Sequence, residues 1–310
     1  MRVGLVFGGN TTEGNISTLS AEIVRSTLKK LGHEVVNIEF CKKISVLIQD
    51  ANVDVIFNAM HGQFGEDGCL QGLLNIMQIP YTHSGVFGSS FGMNKIACNF
   101  LFDNLNIKTI PGFVVQKQNL YDGTWKEIFK NSKISNCKEI FIKPARDGSS
   151  RDTFLVQNID EFSFEKIELT TASNDFLIQK RINGKEIQVA VVNNKAIGIL
   201  EVVPNSAKSK FYDYKAKYSE NGAIHKQLDE PNYIKDKLLS YAKNIHDALN
   251  LNCISRSEFI LTEDKEIYAL EVNTHPGLTA LSIVPDIAMN AGISYEQLID
   301  FLLKSARYEA

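Results

Sequence analysis

No run of this sequence approaches the ~18 consecutive apolar residues of a membrane span, so no integral membrane helix is expected. The N-terminal Met1-Arg-Val-Gly-Leu-Val-Phe-Gly-Gly9 turns glycine-rich too early for a secretory signal, and the expected location is the cytoplasm. No Cys-x-x-Cys pair occurs. The five cysteines, at 41, 69, 98, 137 and 253, are odd in number and scattered, which fits reduced thiols rather than disulfide staples or a zinc site. Neither sign of charge dominates, and a net charge of -3 gives no reason to expect a nucleic acid or a membrane surface as partner. Repeats and low-complexity tracts are absent. What is there is ordinarily globular, 44% hydrophobic and 22% charged over 310 residues, enough for two or three domains with cores of their own.

The first third alternates strand and helix. Val3 to Phe7 reads as a short buried strand, followed by the glycine-rich loop Gly8 to Asn15. Ser17 can cap a helix that ends near Lys30 and is closed by Gly32. Strands over Glu34 to Phe40 and Asp54 to Asn58, with a helix between them, predict a parallel, doubly wound sheet whose ligands lie beyond the strands' carboxyl ends. Two loops leave those ends: Gly8 to Asn15, and His61-Gly-Gln-Phe-Gly-Glu-Asp-Gly68. The first is not Gly-x-Gly-x-x-Gly and lacks a ribose-binding acid, which excludes a dinucleotide site. Glu13 reads either as a ligand for a cationic group or as a solvated loop carboxylate. In the second loop Asp67 can cap a helix over Cys69 to Met77, or Glu66 and Asp67 can bind a ligand directly. His61 taken alone reads first as structural.

The pattern changes near Asn94, which can cap a helix from Lys95 to about Asn104. Phe113 to Gln116 and Glu139 to Lys143 read as strands, with a polar, weakly patterned stretch between them holding the single tryptophan, Trp125. The second strand ends on Lys143, before the turn Pro144-Ala-Arg-Asp-Gly-Ser-Ser150. A strand-end lysine beside a Gly/Ser loop can clamp phosphate through its ammonium and backbone N–H groups, although this is not a Walker A loop. Phe176 to Ile182 is strand-like, and Lys185 to Val192 with Ala196 to Val203 forms a hairpin turning at Asn193-Asn194-Lys195. Pro204 to Glu230 reads as a long loop carrying Phe211-Tyr-Asp-Tyr-Lys-Ala-Lys-Tyr218, whose interleaved aromatics and lysines suit either a nucleic acid or a lid over an anionic substrate, the lid fitting the net charge better. A helix over Tyr233 to Leu249 and strands over Cys253 to Leu261 and Glu266 to Glu271 follow. Ser294 and Gln297 predict a capping box for the last helix.

Glu271-Val-Asn-Thr-His-Pro-Gly-Leu-Thr-Ala-Leu-Ser282 is the stretch around which the chain is organised. Glu271 and Asn273 are two residues apart on a strand and face one side. With Glu258 on a neighbouring strand they read either as a hard oxygen site suited to Mg²⁺ held jointly with nucleotide phosphates or as a polar strand end meeting a Pro-Gly turn.

Seven motifs occur in order: Gly8-Gly9 to Glu13, His61-Gly to Gly65-Glu-Asp-Gly68, Tyr81-Thr-His-Ser-Gly85, Met93-Asn-Lys95, Lys143-Pro to Gly148-Ser-Ser150, Phe211-Tyr-Asp-Tyr to Lys217-Tyr218, and Glu271-Val-Asn-Thr-His-Pro-Gly277. The whole chain resembles the D-alanine–D-alanine ligase family of ATP-grasp enzymes, which make a peptidoglycan precursor. The resemblance implies an α/β, three-domain architecture: residues 1–93 with the doubly wound sheet, and 94–180 and 181–310 as two α+β domains sandwiching ATP. It implies a cytoplasmic homodimer that binds ATP, Mg²⁺ (or Mn²⁺) and D-alanine and no nucleic acid or membrane. Lys95, Lys143 and Lys217 would hold phosphates, Gln179 and Lys180 would contact the nucleotide, and Glu186 its ribose. Glu258, Glu271 and Asn273 would carry the metal. Glu13 would bind the ammonium of the first D-alanine in a site lined by His61, with Ser149 and Tyr218 linking it to the lid. Arg256 and the Gly277 N–H would stabilise the oxyanion, and Ser282 would hold the second substrate's carboxylate.

The sequence departs from the family's usual pattern in four places. Arg151-Asp152 stands where a small apolar residue and glycine are usual, Gln179 and Glu258 where Glu and Asp are, and Ala223-Ile-His-Lys-Gln-Leu228 lacks a Cys-Pro segment. Two alternatives follow: a ligase with another acceptor, such as D-lactate or D-serine, or a non-catalytic homologue that binds ATP or D-alanine.

Overall fold

Short β-branched runs bounded by glycine and asparagine set the first unit. The computed structural model describes residues 1–9, 13–205, 222–279 and 281–309, so Lys217 and Tyr218 lie outside the described residues. Strands β1 (Arg2–Phe7), β2 (Glu34–Glu39) and β3 (Val55–Asn58) form a parallel sheet in the order β2-β1-β3. Side-chain alternation divides the strands between two faces. On one, Val3, Leu5 and Phe57 meet Ala21, Val24 and Leu28 of helix α1 (Gly14–Lys30). On the other, Val6, Ile38 and Ile56 meet α2 (Ile44–Ala51) and α3 (Cys69–Met77). Helix α4 (Val86–Gly92) completes the unit, and the doubly wound reading holds.

Helix α1 starts at Gly14, not behind a Ser17 cap. The Ser17 hydroxyl is already committed, accepting from the Gly8 N–H at 2.7 Å and donating to the Ala59 carbonyl at 2.9 Å. It thereby ties together the loops leaving β1 and β3. Gly14 is required at the turn, since a Cβ there would lie 2.2 Å from the Gly9 carbonyl oxygen. Gly32 closes the helix at φ +83, a left-handed conformation that favours glycine.

An antiparallel sheet, β5-β8-β6-β7, forms the second unit from β5 (Gly112–Gln116), β6 (Ile140–Pro144), β7 (Phe154–Val156) and β8 (Asp175–Lys180). The weakly patterned stretch behind it contains two helices, α6 (Lys117–Tyr121) and α7 (Trp125–Lys130). They are too short to show a helical period. Their anchor is Trp125, fully buried edge-on to Phe162 and Phe164.

The third sheet has six strands in the order β11-β10-β9-β12-β13-β4: β4 (Lys108–Thr109), β9 (Lys185–Val192), β10 (Lys195–Pro204), β11 (Ala223–Gln227), β12 (Ile254–Leu261) and β13 (Ile267–Asn273). The β9–β10 turn has Asn193 and Asn194 at φ 49 and 59, the paired positive values of a type I′ hairpin. Strand β11 corrects the reading of 204–230 as loop throughout. It is an edge strand, exposed along most of its length, whose polar sequence carries no strand signal; backbone pairing to β10 and the Lys226–Glu201 ion pair hold it.

One face of this sheet packs on α5 (Lys95–Asn104) and α8 (Asn232–Ala248). Asn94 caps α5, its side-chain oxygen accepting from the N–H groups of Ile96 and Ala97. The other face packs on α9 (Ile283–Asn290) and α10 (Tyr295–Lys304), which starts in the expected Ser294–Gln297 capping box. That second core is continuous with the one under α1: Val3, Leu5 and Val24 share it with Ala190, Leu200 and Ile283. The first and third units are therefore fixed against each other, which sets the loop of Glu13 opposite the strand ends of β12 and β13.

Candidate active site

Strand register builds the centre of the site. In the antiparallel β12–β13 pair, Arg256 lies opposite Asn273 and Glu258 opposite Glu271. The period of two puts all four side chains on one face. Two carboxylates directly opposed across strands repel, and Glu258 is only 2% exposed. Cations offset this: Arg256 Nη2 donates to Glu258 Oε1, and Lys95 Nζ lies 3.8 Å from Glu271 Oε2. The Asn273 side-chain oxygen accepts the His275 N–H at 2.8 Å and keeps a second lone pair. Among the described residues there is no cluster of three His, Cys, Asp or Glu that could cage a metal alone. Two carboxylates and an amide oxygen instead suit a hard cation whose shell is completed by substrate phosphates and water, as Mg²⁺ prefers.

A cleft of about 350 Å³ opens between the second and third sheets. It is lined by Lys95, Lys143, Gln179, Lys180, Glu186, Glu258 and Glu271, with Phe141, Ile260 and Leu270 among its apolar walls. Gln179 is 3% exposed; its Nε2 donates to the Ile110 carbonyl at 3.1 Å, while its Oε1 is buried without a partner. A buried acceptor left open in a cleft with apolar walls such as Phe141, Ile260 and Leu270 is suited to an exocyclic amine of a base.

A second cavity of about 100 Å³ adjoins the first, and Gly148 and Glu271 line both. Its walls include Glu13, His61, Ser149, Arg256, Asn273, Gly277 and Ser282, together with Glu66. Every predicted site residue that is described therefore lines one of two adjoining cavities, and none is stranded elsewhere. Glu13 is 4% exposed, which rules out the solvated-carboxylate reading. Its Oε1 is buried without a partner, and burial, then the charge of Glu66, push its pKa up to about 7 against the opposing pull of His61 and Ser149. His61 bonds Glu66 Oε1 through Nδ1 and Ser20 Oγ through Nε2, both at 3.0 Å. Burial resists a charge on this ring, but its hydrogen bond to Glu66 and the charges of Glu66 and Glu13 outweigh that and raise its pKa. The N-cap of the Cys69–Met77 helix is Gly68; Asp67, one residue before it, accepts from the N–H groups of Cys69, the first helical residue, and of Phe64.

Sequence reasoning gave no role to His83 or His275. Their rings stack at 3.7 Å, and His275 meets His61 edge-on at 5.6 Å. Burial and the charge of His61 hold His83 neutral, down to about 3; His275, beside both, is likewise held well below the usual histidine range. The stack braces the loop bearing Gly277 and Ser282 against the first unit. Three histidines in loops at 61, 83 and 275 are half of the six in the chain, and that was the available signal. Within the same loop Ser282 Oγ accepts the Thr279 N–H at 2.9 Å, and a Cβ on Gly277 would fall 2.8 Å from that oxygen.

Residues 101–304 match the family description "D-ala D-ala ligase C-terminus", and residues 39–84 match "D-ala D-ala ligase N-terminus". The chain belongs to the D-alanine–D-alanine ligase family. Over 311 residues it is 40% identical to the D-alanine–D-alanine ligases of Rickettsia canadensis (strain McKiel) and Rickettsia bellii (strain OSU 85-389), covering 99% of this chain and 84% and 92% of theirs. Among solved structures, the D-alanine–D-alanine ligase of Bacillus anthracis superposes with a TM-score of 0.83 at 27% identity, over 98% of this chain and 97% of that one. Its complex with ATP gives 0.81 at 23% identity, over 98% and 96%. The family's ATP-grasp architecture is the one described above: a parallel first sheet and two antiparallel-rich units with a cleft between them.

Proposed function

We propose that this chain is an ATP-dependent D-alanine–D-alanine ligase that forms ADP, phosphate and D-alanyl-D-alanine for peptidoglycan precursor synthesis. The observation that carries this reading is the contact between the two cavities at Gly148 and Glu271. A phosphoryl donor in the larger and a carboxylate in the smaller face each other across that wall.

Gln179, Lys180 and Glu186 bind the base and ribose, and Lys95 and Lys143 hold the phosphates. Glu13 takes the ammonium of the first D-alanine, with Ser149 linked to it and His61 shaping the site. A carboxylate oxygen of that D-alanine attacks the γ-phosphorus, ADP leaves, and an acyl phosphate forms. Ser282 holds the carboxylate of the second D-alanine, whose amine attacks the acyl carbon. Negative charge then develops on the carbonyl oxygen, where the Arg256 guanidinium and the Gly277 N–H stabilise it. Collapse expels phosphate and leaves the peptide bond. Glu258, Glu271 and Asn273 would hold Mg²⁺ (or Mn²⁺), which when bound neutralises charge on the transferring phosphoryl group. Lys217 and Tyr218 keep their assigned roles at the γ-phosphate and in the Glu13–Ser149 link on sequence grounds. No helix among the described residues is long and apolar enough to cross a membrane. We place the enzyme in the cytoplasm as a homodimer, which light scattering on the purified chain would check.

A phosphate-release assay with ATP, Mg²⁺ and D-alanine, with the product identified by mass, tests the reading. Phosphate and dipeptide in equal amounts are expected. Phosphate only with D-lactate or D-serine as acceptor, or nucleotide binding with no phosphate, would overturn it. The metal assignment has its own test. Glu271→Gln keeps shape but removes one charge, so apparent Mg²⁺ affinity should weaken on the order of tenfold, the equivalent of one charge-assisted contact of ~1.5 kcal/mol. A Mg²⁺ titration of turnover reads this, with the melting temperature as the check on folding; an unshifted titration removes Glu271 from the metal site.

A further inference from the structure

The loop joining the two cavities, residues 147–153, is held in place by its own side chains. Asp152 Oδ2 accepts the Thr171 N–H at 2.7 Å and the Thr170 hydroxyl at 3.2 Å. Asp147 Oδ1 accepts the Gly148 N–H at 2.8 Å, and Lys95 Nζ donates to the Asp147 carbonyl. Ser149, Ser150 and Asp152 stand in the left-handed region at φ 53, 55 and 46, although none is glycine. L-residues other than glycine disfavour that region, so the side-chain anchors must hold a conformation the backbone does not favour. Between the anchored Asp152 and the paired serines lies Arg151, whose Nε is buried and which lines the larger cavity together with Lys95, Lys143 and Ser150.

We propose that Arg151 is a nucleotide-phosphate ligand of this chain: a guanidinium carried on a preset loop, with Asp152 as its positioning residue. The inference rests on the reading of the larger cavity as the ATP site. Arginine has the chemistry for the task, since its planar fork matches two phosphate oxygens and its charge does not titrate. A further cation beside Lys95 and Lys143, additional to the assigned Lys217, gives polyphosphate affinity that needs no divalent ion. Because the loop is preset, little ordering is lost when nucleotide binds.

Calorimetric titration of ATP, ADP and adenosine into the full chain, in EDTA and in Mg²⁺, with Arg151→Val, Arg151→Lys and Asp152→Ala, tests this. In EDTA, Arg151→Val should weaken ATP and ADP about tenfold, as for one lost charge-assisted contact, and leave adenosine unchanged. Arg151→Lys should fall between Val and the parent, and Asp152→Ala should weaken ATP with the arginine still present. A loop with only a packing role would shift all three ligands together, which overturns the proposal, as does an Arg151→Val chain that binds ATP like the parent. A parent chain that binds no ATP overturns the nucleotide reading and this inference with it.

Discussion

Arg256→Ala should lower kcat by about 10²–10³-fold, the loss measured when one donor to a developing oxyanion is removed, and leave ATP affinity nearly unchanged. Arg256 lines the smaller cavity and not the larger, so its charge is spent where the tetrahedral oxygen forms. The substitution also strips Glu258, 2% exposed, of the cation bonded to it. An unpaired buried carboxylate can cost about 3–5 kcal/mol, so part of any loss could be unfolding. Two controls separate the effects. The melting temperature reads stability, and Arg256→Lys keeps the charge but loses the planar fork, so it should restore stability more fully than turnover. If nucleotide affinity falls as far as kcat, Arg256 is a phosphate ligand instead.

Glu13→Gln should raise the KM for the first D-alanine by about 10- to 100-fold, the equivalent of one buried charge-assisted bond of ~1.5–3 kcal/mol. The same change should alter the pH dependence in two opposite ways. The folded-state pKa of Glu13, about 7, lies above its ordinary value of 4.5, raised by burial, then Glu66, with Asp147 adding a little. Folding therefore favours the protonated acid. The stability this contributes is fully present below pH 4.5, declines as pH rises through 7, and is absent above that. At pH 8 the neutral glutamine variant should be more stable than the parent; at pH 4 the two should match. Substrate needs the other form. Binding an ammonium expels the proton, so the parent's KM should fall about tenfold per pH unit up to pH 7 and then level, a slope of simple linkage. Glu13→Gln should lose that slope. A variant that keeps it places the titration elsewhere in the Glu66–His61 pair.

What was legible in the sequence follows from how local each feature is. The β9–β10 hairpin, the Asn94 cap and the Ser294–Gln297 box depend on two to four adjacent residues, and each was readable. The opposition of Glu258 to Glu271 depends on register across two strands, and Glu-x-Asn at a strand end was enough to suggest the face but not the cations that make it tolerable. Ser17 was misread because its partners, Gly8 and Ala59, come from two other elements. The His83–His275 stack escaped for the same reason: 192 residues of separation leave no local mark. The Arg151-Asp152 departure was visible in the sequence, but its anchoring was not, because the partners of Asp152, Thr170 and Thr171, lie 18 and 19 residues further on.

The central claim is that the two cavities carry one carboxylate through an acyl phosphate, and oxygen labelling tests it most directly. D-Alanine labelled with ¹⁸O at both carboxylate oxygens is turned over with ATP in ordinary water. One labelled oxygen attacks phosphorus and departs with the phosphate when the amine displaces it; the other stays as the peptide carbonyl oxygen. Mass spectrometry should find one ¹⁸O in each phosphate released and, in each dipeptide, one at the peptide bond. Unlabelled phosphate, with oxygen drawn from solvent, would mean that ATP is hydrolysed without activating D-alanine and would contradict the account.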